Sequence, residues 1–234
     1  MNPIVQTVLF DFDGTLVFHQ PDSFEVIRAF CADIGQPLGA EAERRGRRAR
    51  HEYFVAPTLL EQIRGLSSDE FWRHLNRHLL AALGIQGDLD RLTEELMARF
   101  AAIEMVYQCP PAGCHTLAEL RLRGYHLGLI TNRDGVERFH QLLEQMELEP
   151  YFDLVLTSGE VGVRKPDPGI FSVALERLGA NAEQTAYVGD NYWADVVGAR
   201  NAGLIPVLLD PRHLFPEADC CVLEQIEDLL AWLP

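Results

Sequence analysis

The chain has 234 residues, 47% hydrophobic and 24% charged, which is enough to bury a full core and ordinary for a globular protein. Its formal charge of −15 argues against nucleic acid or an anionic membrane as a partner, because both require clustered basic surface. No apolar run approaches the roughly 20 residues of a spanning helix. Met1-Asn2-Pro3-Ile4-Val5 has no basic region ahead of an apolar core, so the expected location is the cytoplasm.

The first strand signal is Ile4–Phe10, apolar and β-branched, ending in Asp11-Phe12-Asp13-Gly14. From Pro21 to about Met105 the pattern is helical: Phe24-Ile27-Phe30-Cys31-Ile34 and Phe71-Leu75-Leu79-Leu83 recur at steps of three and four. Breaks at Gly35-Gln36-Pro37, Gly65 and Gly84-Ile85-Gln86-Gly87 predict four or five helices and no strand in this stretch. Beyond Cys109-Pro110-Pro111, short apolar strands alternate with helices. The strands are expected at Leu127–Thr131, Leu154–Thr157, Ala186–Gly189 and Ile205–Leu209. Helices are expected at about Ala112–Arg123, Gly135–Met146, Pro168–Leu178 and Ala194–Ala202, with a last one near Leu223–Leu230. This alternation predicts βαβ units and a parallel sheet. The chain therefore reads as α/β, with a core of residues 1–16 and 107–234 interrupted by an all-helical insertion at 17–106.

The five cysteines, Cys31, Cys109, Cys114, Cys220 and Cys221, are odd in number and contain no C-x-x-C, so reduced structural thiols are expected. Cys109, Cys114 and His115 lack a second ligand pair at zinc-site spacing.

Ligands of open α/β sheets bind beyond the carboxyl ends of the strands, so the chemistry is sought there. Asp11 and Asp13 point to one side of the extended chain and Phe12 to the other. Two carboxylates on one side need a cation or a shared proton. Thr131-Asn132-Arg133-Asp134 offers a hydroxyl and backbone amides to an oxyanion, although helix capping explains the same residues. Of the 20 basic residues only Lys165 is a lysine, and it lies between Arg164 and Pro166 in Val163-Arg164-Lys165-Pro166-Asp167-Pro168. A compact ammonium in an otherwise arginine-only chain, on a backbone stiffened by two prolines, reads as a placed cation. Gly189-Asp190 ends another strand, and Asp195 lies about one turn into the next helix. Four carboxylates at two strand ends suit a hard cation such as Mg2+.

Together these segments resemble the haloacid dehalogenase superfamily of hydrolases. The resemblance rests on Asp11-Phe12-Asp13-Gly14-Thr15-Leu16, Thr131-Asn132, Lys165-Pro166-Asp167-Pro168 and Gly189-Asp190 with Asp195, in that order, with Gly198-Ala199-Arg200-Asn201-Ala202-Gly203 downstream. It implies a Rossmann-like parallel sheet with helices on both faces, and an inserted helical-bundle cap that closes over substrate and excludes water. It also implies a Mg2+-dependent phosphatase acting on a small phosphorylated metabolite. Asp11 is then the nucleophile and Asp13 the acid and base. Mg2+ is held by Asp11, the Asp13 backbone carbonyl and Asp190, with Asp195 as a further ligand or a partner of one. Thr131, Asn132, Arg133 and Lys165 are expected to meet the phosphoryl group.

Within that family, Asp13 favours phosphoryl transfer over dehalogenation. The insertion contains no lysine for a Schiff base, which removes phosphonatase chemistry. A phosphomutase of the β-phosphoglucomutase type shares every core motif and is the main alternative. A non-catalytic metabolite sensor and a haloacid dehalogenase rank lower. In the insertion, Arg44, Arg45, Arg47, Arg48 and Arg50 could receive an anion, but a solvated helix face with acids nearby is the simpler expectation. His51, Tyr53 and His74 could also reach the site, although packing or surface roles are the simpler expectation, while His19 and Arg133, close to two of the motifs, are the best remaining candidates for substrate contact.

Overall fold

The computed structural model describes residues 5–233. The chain forms two compact units, one spanning His19–Tyr107 and the other built from the segments on either side of it.

The discontinuous unit holds the sheet. Its strands are β1 (Thr7–Phe10), then, beyond the helical unit, β4 (His126–Thr131), β5 (Leu154–Thr157), β6 (Thr185–Gly189), β7 (Ile205–Leu209) and β8 (Cys221–Leu223). Their order is β5-β4-β1-β6-β7-β8, and every neighbouring pair is parallel. All four residues of β1 are buried, as a strand between two others requires. Two further strands, β2 (Phe18–Gln20) and β3 (Val106–Gln108), form a separate two-stranded sheet where the chain passes between the units. Among the described residues no helix is long and apolar enough to cross a membrane.

Successive strands lie first on one side of β1 and then on the other, so the order reverses around β1. Sequence segments far apart therefore finish side by side at the carboxyl edge of the sheet.

Three local expectations need correction. The first strand begins at Thr7; Ile4 lies outside the described residues, while Gln6 already bonds to Gln184 and His126 through its backbone. The expected helix Ala194–Ala202 starts earlier, as a wide π-type turn at Tyr192–Val197, and becomes α-helical only at Gly198–Asn201. The Asn191 side chain accepts from the Trp193 and Ala194 amides and so caps the turn two residues upstream of the expected start. The expected helix near Leu223–Leu230 is instead β8 followed by a 3-10 turn and a short helix at Leu229–Trp232. Cys221-Val222-Leu223 is a three-residue apolar run that pairs with β7 at the sheet edge, a length at which helix and strand patterns cannot be told apart.

The helical unit contains α1 (Ser23–Asp33), α2 (Ala40–Tyr53), α3 (Pro57–Ile63), α4 (Ser68–Leu83) and α5 (Leu89–Ala101). Its core joins Phe24, Ile27 and Phe30 of α1 with Leu75, Leu79 and Leu83 of α4, the residues whose three- and four-residue spacing marked both helices. Asp22 caps α1, and Ser67 forms a reciprocal capping box with Glu70 at the start of α4. Arginines of α2 are held by neighbours within this unit: Arg44 by Glu41, Arg47 by Glu43 and Asp22, and Arg50 by Ser23. The Arg47 guanidinium also lies 4.2 Å from the centre of the Phe24 ring.

Candidate active site

Asp11 directly follows β1, and its amide donates to the Val188 carbonyl of β6 at 2.8 Å. The chain then turns through Gly14, whose φ of +86° suits glycine. Space makes the same demand, because a Cβ on Gly14 would sit 2.2 Å from Oδ2 of Asp190. A Cβ on Gly189, the last residue of β6, would lie 2.4 Å from the Asp195 carboxyl carbon. Two glycines thus let two carboxylates pack directly against backbone at the strand tips.

Lys165 is only 2% exposed, yet its ammonium is fully coordinated. It donates to Oδ1 of Asp11 at 2.6 Å, Oδ1 of Asp195 at 2.7 Å and the Tyr187 hydroxyl at 2.8 Å. Three N–H donors meet three acceptors, so burial leaves none of them unpaired. The Lys165 backbone is fixed as well: its amide donates to the Asn132 side-chain oxygen at 2.8 Å, and its carbonyl accepts from the Asn132 side-chain nitrogen at 2.9 Å. On the C-terminal side, Asp167 caps the helix Pro168–Leu178.

Burial works to lower the Lys165 pKa, but Asp11 and Asp195 outweigh it and hold the ammonium well above its ordinary value. Asp11 is pushed up to about 7, chiefly by burial and further by Asp195 and Asp13, against the pull of Lys165. One ammonium thus faces the carboxylates of both Asp11 and Asp195.

Asp11, Asp190 and Asp195 each present a carboxylate oxygen, and these atoms lie within 4.8 Å of one another. Three oxygen donors with a deficit of positive charge fit a hard divalent cation. The donors are not equivalent. Both Asp195 oxygens are engaged, one by Lys165 and the other by the Asn191 amide at 2.9 Å, so Asp195 orients the lysine as well as lining the cluster.

The remaining predicted residues fall into three groups. Thr131 is buried at the end of β4, beside the Asn132 that clamps Lys165. The Asn132 side chain is thereby committed to Lys165, and only its backbone amide remains to be considered for a phosphoryl oxygen. The Asp13 carboxylate, 46% exposed, faces Arg133. Arg133 Nε donates to Oδ2 of Asp13 at 2.9 Å, and its Nη2 donates to Oδ1 at 2.7 Å. His19 packs against Tyr107 with the two rings tilted by 42°, and His74 bonds to the Tyr53 hydroxyl.

Sequence reasoning missed Tyr187. It is fully buried in β6, its ring packs edge-on against Phe171, and its hydroxyl also donates to the Ile130 carbonyl at 3.3 Å. The available signal was a tyrosine in the middle of a fully buried strand, flanked by Ala186 and Val188, whose hydroxyl must find a polar partner.

A family model described as haloacid dehalogenase-like hydrolase matches residues 5–203. A phosphoserine phosphatase from Thermus thermophilus is 34% identical over 234 residues, covering 91% of each chain. A glyceraldehyde 3-phosphate phosphatase from Methanothermobacter thermautotrophicus is 29% identical over 222 residues, 92% of this chain and 90% of that one. Among solved structures, a HAD-hydrolase from Bacillus subtilis bound to magnesium is similar over 98% of both chains, with a TM-score of 0.62 and 21% identity. That last likeness is one of fold alone.

Proposed function

This chain belongs to the haloacid dehalogenase-like hydrolases, and from that membership we propose that it is a phosphatase acting on a small phosphate monoester through an aspartyl-phosphate on Asp11. The meeting of Asp11 with the Lys165 ammonium inside a cluster of carboxylates carries this reading. The phosphatase relatives, similar over about nine-tenths of both chains, support it.

In this reading a carboxylate oxygen of Asp11 attacks phosphorus, the phosphorus–oxygen bond to the alcohol breaks, and Asp13 gives its proton to the departing oxygen. Water then attacks the phosphoryl group and gives its proton to Asp13. The bond from phosphorus to Asp11 breaks, releasing inorganic phosphate and restoring the carboxylate. Lys165 holds Asp11 in place and offsets the charge that gathers on the phosphoryl oxygens. The Thr131 hydroxyl and the Asn132 amide bind those oxygens. Asp195 and Tyr187 orient Lys165, and the Asn132 side chain fixes its backbone.

The residues that would hold Mg2+ are Asp11, Asp190 and the Asp13 backbone carbonyl, with Asp195 beside them. When bound, the ion supplies charge neutralisation at the phosphoryl group. The expected substrate is a small phosphorylated metabolite in the cytoplasm.

The test is release of inorganic phosphate from a panel of phosphorylated metabolites with Mg2+, by the native chain and by Asp11→Asn. Turnover by the native chain and none by the variant is expected. Isomerisation of a sugar phosphate in the presence of its bisphosphate, without free phosphate, would instead identify a mutase. Halide release from 2-chloropropionate would identify a dehalogenase.

A further inference from the structure

The Asp13 carboxylate is gripped on both oxygens by one guanidinium, at 2.9 and 2.7 Å. A carboxyl bound in this way has a lone pair of each oxygen taken by the guanidinium and is turned toward it. The residue best placed for acid and base work is therefore engaged elsewhere. Its partner is itself positioned rather than loose. The Arg133 guanidinium lies 5.2 Å from the centre of the Phe12 ring and 5.6 Å from that of Phe139, and these two rings pack edge-to-face at 4.9 Å. Arg133 also follows Thr131 and Asn132 directly, so the fork that holds Asp13 stands next to the segment assigned to the phosphoryl oxygens.

The planar edge of a guanidinium that donates to both oxygens of a carboxylate can donate to two phosphoryl oxygens in the same geometry, and one edge serves one anion at a time. We infer that Arg133 is shared between Asp13 and the substrate, its fork passing from the Asp13 carboxylate to an arriving phosphoryl group and so freeing Asp13 for proton transfer. This rests on the phosphatase reading above and adds to it a coupling between substrate arrival and release of the acid. The exchange is energetically accessible. With 46% of the Asp13 side chain and 26% of the Arg133 side chain exposed, solvent screens the pair in part, and a phosphate dianion, which carries more negative charge than the carboxylate, competes for the same fork. The aromatic platform limits how far the guanidinium moves during the exchange.

Competition for one fork has a signature that mere proximity lacks. The affinity of the full chain for inorganic phosphate, with Mg2+ present, is measured by calorimetry for the native protein, Asp13→Ala, Arg133→Gln and the double variant. Asp13→Ala should tighten phosphate about 10-fold where Arg133 is present, because the competitor is gone. In the Arg133→Gln background the same change should have a clearly smaller effect, since only charge repulsion is relieved there. Arg133→Gln alone should weaken binding. Arg133→Lys keeps the charge without the fork, should give an intermediate coupling, and serves where the glutamine variant folds poorly.

Equal effects of Asp13→Ala in both backgrounds would overturn the inference, as would an Arg133→Gln variant that binds phosphate like the native chain, or a native chain that binds none. The cycle reads binding alone and the metabolite panel reads turnover. A chain that binds phosphate with additive effects but turns over substrate refutes the sharing and spares the function. A chain with the coupling but without turnover does the reverse.

Discussion

The ammonium of Lys165 lies 2.6 Å from Oδ1 of Asp11, although 154 residues separate them in sequence. Both side chains are buried, and each accounts for much of the charge the other meets. Replacing Lys165 with methionine leaves Asp11 and Asp195 facing one another in a closed pocket, a loss expected to cost about 3 to 5 kcal/mol of stability. Lys165→Arg should rescue poorly, because a planar fork cannot direct three donors at Asp11, Asp195 and Tyr187 from one point. Urea unfolding of both variants checks this. A Lys165→Arg protein with native stability and native phosphatase activity would contradict it.

Gly14 is constrained twice, by a φ of +86° and by the carboxylate of Asp190 against its α-carbon. Gly14→Ala should cost about 1 to 3 kcal/mol from backbone strain. Its second effect is more specific. The added methyl displaces Asp190, so the Mg2+ concentration that half-saturates activity should rise by roughly 10-fold or more. Unfolding curves and a Mg2+ titration of turnover measure the two effects separately. A destabilised variant with unaltered Mg2+ dependence would remove Asp190 from the proposed metal site.

Asn132 and Tyr187 both serve Lys165, but in different ways. Tyr187→Phe removes one acceptor from a buried ammonium and should lower stability by about 1.5 to 3 kcal/mol. Asn132→Ala instead frees the Lys165 backbone. Displacing a charged group by about 1 Å is expected to lower kcat roughly 100-fold with a smaller change in stability. The contrast is read from kcat and urea midpoints side by side, and it fails if both variants lose kcat and stability in the same proportion.

What could be read from the chain alone was set by distance along it. Side-chain alternation placed Asp11 and Asp13 at a strand tip, and the single lysine marked itself by composition. Periodicity found α1 and α4 through the residues that now form one core. The pairings across the sheet were not legible. Nothing local to Asn132 says that its side chain will clamp a backbone 33 residues later. Nothing local to Asp13 names Arg133, 120 residues away, as its partner. Tyr187 read as one more apolar strand residue because its polar end matters only once Lys165 is buried beside it. The edge strand β8 failed for another reason: three residues carry too little pattern to separate a strand from a helix.

The same long-range logic operates away from the active site, and there it gives a pH dependence. Asp153 begins the segment leading into β5 and ties three elements together. Its carboxylate accepts from Arg121 at 2.6 Å, from the Leu127 amide at 3.1 Å and, when His126 is the donor, from that ring at 3.2 Å. Burial acts to raise its pKa, but the Arg121 guanidinium, the Leu127 amide and His126 together hold it below the ordinary carboxylate value. An acid whose pKa is depressed by folding contributes in full above its unfolded value, near 4, and that contribution is lost as pH falls through the lower folded value. The native chain should therefore lose this increment on acidification below about pH 5, whereas Asp153→Asn should lack it throughout. The side chain is partly exposed, and solvent screening limits the effect to about 1 kcal/mol. Urea midpoints of the two proteins should differ at pH 7 and converge toward pH 3. Parallel curves across that range would mean that the charge of Asp153 does nothing to hold β4 and β5 to the helix that carries Arg121.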